Sequence, residues 1–273
     1  MASDSTLRLP RRPLGLLGAA GAMLATFGAA APAEAQTIDS LLSAKKIKIG
    51  CLVDLPPFGL TNSSGKYEGY DIDVANLMAK YMGVAAEIVP VTGPNRIPYL
   101  LSSQVDVLVA IFGITPERAL QVEFSIPYSS IDIEILAPKA TKITSAADLK
   151  GMKVGVARAS TQDTAISAIA PAGTHIMRFD DDSTTAQAIL SGQIDVIGVN
   201  NITAKQIMDM KPDAHYEVKM VLRHQPNGIT FRRGQTALLR WTNTFIYYIK
   251  NNGELDAICR KWLGTPLPEL PVF

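Results

Sequence analysis

The chain has 273 residues, 26 Lys+Arg against 25 Asp+Glu, and 47% hydrophobic residues. That balance belongs to a globular protein and gives a polyanion no basic face, which argues against nucleic acid and against an acidic membrane surface as partners. The length accommodates two modest cores or one large one.

The first segment reads as an export signal. Arg8, Arg11 and Arg12 precede an apolar, Ala/Gly-rich run from Leu14 to Ala31, and Ala33-Glu34-Ala35 follows as an A-x-A processing site. Cleavage is expected after Ala35, with Sec and twin-arginine export both left open by the Arg11-Arg12 pair. Removing residues 1–35 takes away three basic and two acidic residues, so the mature chain is formally neutral. No second stretch is apolar enough to span a bilayer. Cys51 and Cys259 are the only cysteines. An oxidising compartment permits a bridge between them, and an apolar strand and a last helix equally suit two separate buried thiols.

Strands and helices alternate along the mature chain. "KIKIGCLV" (46–53) reads as an apolar strand, "PPFGL" as a turn and "TNSSGKYEGYD" as a hairpin loop. From Asp71, a candidate cap, Val74, Leu77, Met78 and Tyr81 fall on one helical face, and Gly83 can end the helix. "AAEIVPV" (85–91) is a second strand, "NRIPYLLSS" a short helix, and "VDVLVAIF" (105–112) a continuous run suited to a buried parallel strand. Thr115-Pro116 then reads as N-cap and first helical residue of a helix running toward Val122.

After "SIDIEILAP" the same grammar returns. "SAADLKG" is a short helix, "MKVGVARA" a strand, "STQDTAISAIA" and "TTAQAILSG" helices, and "QIDVIGVN" a strand. "LSSQVDV" (101–107) matches "LSGQIDV" (190–196) at five of seven positions, and "KIGC" (48–51) and "KVGV" (153–156) each carry glycine third. These repeats predict two lobes of similar α/β build, each with its own parallel sheet. "NGITFRRG" (227–234) reads as a strand returning to the first lobe, followed by two helices. The expected division is 36–132 for the first part of lobe 1, 133–226 for lobe 2 and 227–273 for the return to lobe 1. The chain then crosses twice, near 130–138 and 222–229, and two crossing strands make a hinge over a ligand cleft.

Ligands of open parallel sheets sit beyond the carboxyl ends of the strands. Four such ends are visible: Asp54-Leu55 and Ala110 to Gly113 in one lobe, Ala157 to Thr161 and Asn200 in the other. Arg118, third residue of the helix after "IFGITPER", opposes the helix dipole unless an anion engages both, which makes it a candidate carboxylate receptor. An exposed arginine paired with Glu117 or Glu123 is the plainer alternative. Ser160 and Thr161, at the second lobe's strand-to-helix junction, could reach the same anion, or Ser160 could simply cap the helix.

Six ordered segments, "IKIGCLVDLPPFGL", "GKYEGYDIDVANLMAKYMGV", "ITPERALQVEFSIPY", "ADLKGMKVGVARAST", "LSGQIDVIGVN" and "NGELDAICRKWLG", resemble the successive signatures of the periplasmic solute-binding proteins of polar amino-acid ABC importers. The resemblance implies a two-lobed α/β fold of the periplasmic-binding-protein type II class, with two hinge strands and the ligand between the lobes. It further implies a periplasmic, monomeric receptor that captures one amino acid and hands it to an inner-membrane permease, with no cofactor and no metal. Four positions depart from the family pattern. Asn200 stands where an aspartate commonly takes the ligand ammonium, Leu55 where an aromatic often packs, Ala110-Ile111 where polar residues are frequent, and Gly113 where serine or threonine is usual. The ligand expected from these changes is an atypical amino acid or a small carboxylate. Arg96, in the "NRIP" segment that in relatives taking acidic amino acids points an arginine at the ligand, would add a second cation without an evident anion and favour a dicarboxylate. Its plain alternative is an arginine tying loops together.

Two rival classes share the fold. A cyclohexadienyl-dehydratase-like enzyme needs a general acid in the cleft, where Asn200 cannot serve and Asp54 is the remaining candidate. No H-E-x-x-H or G-x-S-x-G occurs, and His175, His215 and His224 are scattered. A sensory module for a separate membrane receptor is the other rival.

Overall fold

A computed structural model describes residues 37–271; the export signal lies outside them. In chain order the first half contains α1 (Ile38–Ala44), β1 (Lys46–Leu52), β2 (Asp54–Leu55), β3 (Gly59–Thr61), β4 (Tyr67–Glu68), α2 (Tyr70–Met82), β5 (Ala85–Val91), α3 (Arg96–Leu101), β6 (Val107–Leu108), α4 (Pro116–Ala119) and β7 (Val122–Pro138). The second contains β8 (Lys153–Ala157), α5 (Thr161–Ile169), β9 (His175–Phe179), α6 (Asp182–Leu190), β10 (Val196–Asn200), α7 (Asn201–Met210), β11 (Tyr216–Arg232), α8 (Thr236–Asn251) and α9 (Glu254–Leu263).

The strands form one eight-stranded sheet in the order β5-β1-β6-β11-β7-β10-β8-β9, plus a small β2-β3-β4 sheet. Two parallel sets, β5-β1-β6 and β10-β8-β9, flank a central antiparallel pair. That pair consists of the 17-residue strands β7 and β11. One end of β11 binds β6 through Thr230 and Phe231, and the opposite end of β7 binds β10 through Ile133 to Leu136. The two parallel sheets expected from the repeats are thus present but continuous, because β7 and β11 pass through both. Their pairing shifts register between Val218 and Met220, Val221 and Arg223, and around Gly228. Bulges of this kind raise local twist and bend a ladder.

The core divides in the same way. One apolar cluster gathers Ile47, Ile49, Met78, Leu108, Phe231 and Ile246 with their neighbours, while Leu136, Ile189 and Val199 on one side, and Val154, Ile166 and Val196 on another, cover the second parallel set. Each fully buried aliphatic side chain contributes about 1.5–3 kcal/mol relative to exposure.

The sequence repeat has a structural meaning. Asp106 accepts the Lys48 N–H at 2.7 Å and Asp195 accepts the Lys153 N–H at 2.8 Å, so the aspartate of each "Q-x-D-V" anchors the chain to the start of the neighbouring strand. The glycine third in each four-residue match gives room to a neighbouring apolar side chain: a Cβ at Gly155 would lie 2.2 Å from Ile194 Cδ1, and one at Gly50 2.7 Å from Leu108 Cδ2.

Several boundaries differ from the expected ones. Of 105–112 only Val107–Leu108 are strand, because the chain leaves the sheet toward the cleft and Ile111 turns into the left-handed region at φ 43°. The helix after Thr115 has four residues. β11 begins at Tyr216 rather than Asn227. Asp71 does not cap α2: Gly69 is the N-cap, and the Asp71 side chain is fully buried. Cys51 and Cys259 are both free and buried, and burial holds the Cys51 thiol well above its ordinary pKa. Among the described residues no helix is long and apolar enough to cross a membrane.

Candidate functional site

A cleft opens where the carboxyl ends of β1, β8 and β10 meet the hinge strands. Its lining comprises Leu52, Asp54, Leu55, Gly93, Arg96, Ile111, Ile131, Ala157, Arg158, Ser160, Thr161, Gln162, Asp181, Asp182, Asn200 and Gln225. Six of the nine expected residues are therefore wall residues: Leu55, Arg96, Ile111, Ser160, Thr161 and Asn200. Ala110, Gly113 and Arg118 stand behind or beside that wall.

Arg118 is half-buried and reaches across the gap. Its Nη1 donates to the Gly113 carbonyl at 2.9 Å and to Thr161 Oγ1 at 3.1 Å, and its Nη2 donates to the Ala159 carbonyl at 3.2 Å. One guanidinium thus touches a loop before the first crossing and a loop after it. Thr115 caps its short helix by accepting the Arg118 N–H at 3.3 Å. The second cation, Arg96, is buried; its Nη1 donates to the Ala110 carbonyl at 3.0 Å, which is the part Ala110 plays. Both guanidinia lie over the Phe112 ring, Arg96 at 4.5 Å and Arg118 at 4.2 Å from its centroid, a contact that offsets part of their desolvation. Burial pushes Arg118 down to about 9 and Arg96 to about 10; for Arg118 the neighbouring Arg96 and Arg223 add to the effect. Both stay charged at neutral pH.

On the opposite wall Ser160 caps α5, its Oγ accepting the Asp163 N–H at 3.0 Å. The N–H groups of the next residues, Thr161 and Gln162, belong to the first helical turn, which has no intrahelical acceptor for them. Helix ends of this kind favour anions. Each wall also carries a strained turn: Ile111 at φ 43° and Ala159 at φ 58° are non-glycine residues in the left-handed region.

Asn200 is buried, and its amide is committed to capping α7. Its Oδ1 accepts the N–H groups of Ile202 at 3.1 Å and Thr203 at 2.9 Å, and its Nδ2 donates to Thr203 Oγ1 at 2.9 Å. The expectation of two cations without an anion fails, since Asp54, Asp181 and Asp182 line the same cleft. Asp182 accepts from Gln162 Nε2 at 2.8 Å. Burial raises it to about 6, with Arg96 opposing and Asp54 reinforcing. Asp54 is raised by burial and then by Asp181, and its Oδ1 accepts no hydrogen bond among the described residues. Asp181 caps α6 through the Thr184 N–H at 2.6 Å. Arg158 sits at the rim, half-exposed and 3.7 Å from Asp180.

Gln225, on β11, carries no motif and was invisible in the sequence. Its Nε2 donates to Asn227 Oδ1 at 2.7 Å, and its Oε1 accepts nothing among the described residues. It also accounts for Gly113: a Cβ there would lie 2.5 Å from Gln225 Cδ, so the glutamine fills the place of the usual Ser/Thr side chain. Asp182 and Gln162 were missed for a related reason, since both read as ordinary first-turn helix residues.

The architecture and the cleft define a two-lobed α/β ligand-binding protein. Residues 47–265 match the bacterial extracellular solute-binding proteins, family 3, and the chain belongs to that family. It is 29% identical over 258 residues to the L-cystine-binding protein TcyJ of Escherichia coli strain K12, covering 92% of this chain and 97% of that protein. It is 32% identical over 253 residues to the ABC transporter glutamine-binding protein GlnH of Bacillus subtilis strain 168, covering 91% and 92%. Among solved structures, an ancestral arginine-binding protein bound to glutamine is similar at TM-score 0.75 and 35% identity, covering 81% of this chain and 99% of that one.

Proposed function

We propose that this chain is the monomeric, periplasmic receptor of an amino-acid ABC importer, exported by residues 1–35, and that it binds one zwitterionic amino acid between its lobes and releases it unchanged to the permease. The observation that carries the reading is that both charge signs meet in one cleft. Arg96 and the α5 N-terminus with Ser160 and Thr161 offer donors to a carboxylate, and Arg118 adjoins them through Thr161. Asp54 Oδ1 and Gln225 Oε1 are buried acceptors without a donor among the described residues, and Asp182 lies close to Arg96 and Gln162. Buried acceptors of this kind call for a hydrogen-bonding partner, and an ammonium supplies three donors. Leu55 and Ile111 give the ligand side chain apolar contact. The cystine, glutamine and arginine receptors among the relatives support an amino acid as the ligand class. The acidic groups of the cleft shift the choice from a dicarboxylate to a ligand that carries an ammonium group.

The test is a thermal-shift screen against the amino acids, L-cystine, dicarboxylates and cyclic carboxylic acids, followed by calorimetry and a turnover assay on each hit. An amino acid should bind, its N-acetyl derivative should not, and the bound compound should be recovered intact; preferential binding of a dicarboxylate without an ammonium, or conversion of the hit, refutes the reading. Acidity gives a second check. Asp182 loses its charge as pH falls through about 6, so affinity should drop by up to about tenfold per unit below that point, the limit for one titrating group. Asp182→Asn should be weak at neutral pH and lack that step; identical pH profiles for the two proteins would remove Asp182 from the site.

A further inference from the structure

Ile111 is a β-branched residue held at φ 43°, where a non-glycine side chain clashes with its own backbone at a cost of about 1–3 kcal/mol. The groups that hold it there are all buried and none of them lines the cleft. The Ile111 N–H donates to the Tyr128 hydroxyl at 3.2 Å, and that hydroxyl donates to Asp71 Oδ1 at 2.7 Å. The Tyr128 carbonyl accepts the Tyr70 hydroxyl at 2.8 Å, and the two rings stack with centroids 6.1 Å apart. Tyr70, Asp71 and Tyr128 are all at 0% exposure. Directly after the turn come Phe112, whose ring carries Arg96 and Arg118, and Gly113, whose carbonyl accepts Arg118 Nη1. The direction the chain takes at residue 111 therefore sets where both guanidinia sit.

We infer that Asp71 and Tyr128 form a positioning clamp: Asp71 orients the Tyr128 hydroxyl, which holds Ile111 in its left-handed turn and so places Phe112, Gly113 and the two arginines for the ligand carboxylate. The carboxylate role rests on the function proposed above; the hold on Ile111 does not. A buried network that only stabilised the fold would contribute to stability wherever it lay, and would not couple to the conformational cost at residue 111.

That coupling is measurable. Glycine adopts the left-handed region without penalty, so Ile111→Gly removes the strain the clamp opposes. In ligand-free protein, Tyr128→Phe should speed hydrogen exchange of the residue 111 amide at least tenfold, leaving β8 unchanged. Affinity for L-glutamine, L-arginine or L-cystine, whichever binds the parent protein, should fall tenfold or more with Tyr128→Phe, but less than about threefold when the same change is made in Ile111→Gly. Thermal melts check folding, and Asp71→Ala, which leaves the hydroxyl in place but unoriented, replaces Tyr128→Phe in the same exchange measurement if that variant does not fold. Unchanged exchange at residue 111, or an equal loss of affinity in both backgrounds, overturns the clamp. If none of the three amino acids binds the parent protein, the amino acid found in the screen above takes their place; if no amino acid binds, the receptor reading fails and the exchange result alone decides the hold on Ile111.

Discussion

Arg118→Ala is expected to weaken amino-acid binding by 100-fold or more while leaving the protein folded. On the proposed role the two N–H groups left over from Gly113, Thr161 and Ala159 bind the ligand carboxylate, each charge-assisted bond contributing about 1.5–3 kcal/mol, and a factor of 100 corresponds to about 2.7 kcal/mol. The structure adds a second source of loss. Arg118 donates to Gly113 on one side of the gap and to Ala159 and Thr161 on the other, so the same side chain helps to hold the walls together, and its removal loosens that tie as well as the contact. Folding should survive because the residue is half-buried on a four-residue helix whose cap, Thr115, is untouched. Arg118→Lys separates the two contributions. A lysine keeps the charge but cannot form a fork to a carboxylate or span three acceptors, so it should recover less than half of the lost binding free energy. Calorimetry on the three proteins with one ligand decides the matter; Arg118→Ala with the parent's affinity would show that the carboxylate is held elsewhere, with Arg96 the next candidate.

Much of this fold could be read along the chain because its two halves obey one local rule. "Q-V-D-V" and "Q-I-D-V" announced two equivalent strand entries, and Asp106 and Asp195 make the same bond to Lys48 and Lys153. Caps were legible for the same reason: Thr115 and Ser160 act on N–H groups three residues away. Long-range pairing was not legible. Nothing in "YEVKMVLRHQP" says that it will run for its whole length against β7, since a strand's partner is a property of the fold and not of the segment. The site divides along the same line. Arg118 carried a conflict with its own helix that a reader could detect. Gln225 and Asp182 carry none and reach the cleft through the hinge strand and the α6 entry. Asn200 lines the cleft where the sequence placed it, but the engagement of its amide by Ile202 and Thr203 depends on the cap it makes and could not be read from its position alone.

Asp71 should give this protein a stability that declines between about pH 4 and pH 7. Burial raises its carboxyl to about 7, against the opposing pull of the Tyr128 hydroxyl, the Ile111 N–H and Arg96. Tyr70 and Cys51 are the other titratable groups that feel it, and both stay protonated throughout the range. In the unfolded chain the same group titrates near its ordinary value of 3.8. Between those two values the folded protein retains a proton that the unfolded chain has released, so the contribution is complete below about pH 4 and is lost as pH rises to about 7. The difference between those two values corresponds to about 4 kcal/mol. Asp71→Asn has no proton to lose and keeps an acceptor for the Tyr128 hydroxyl. Its stability relative to the parent should therefore rise by up to that amount between pH 4 and pH 7.5, read as the difference between the two urea-unfolding curves so that all other titrating groups cancel. Parallel curves across the range would mean that Asp71 is ionised in the folded protein at every pH tested. The buried charge would then have to be balanced by Arg96, the one cation among the described residues whose attraction it feels, and Arg96→Gln should in that case bring back the missing pH dependence.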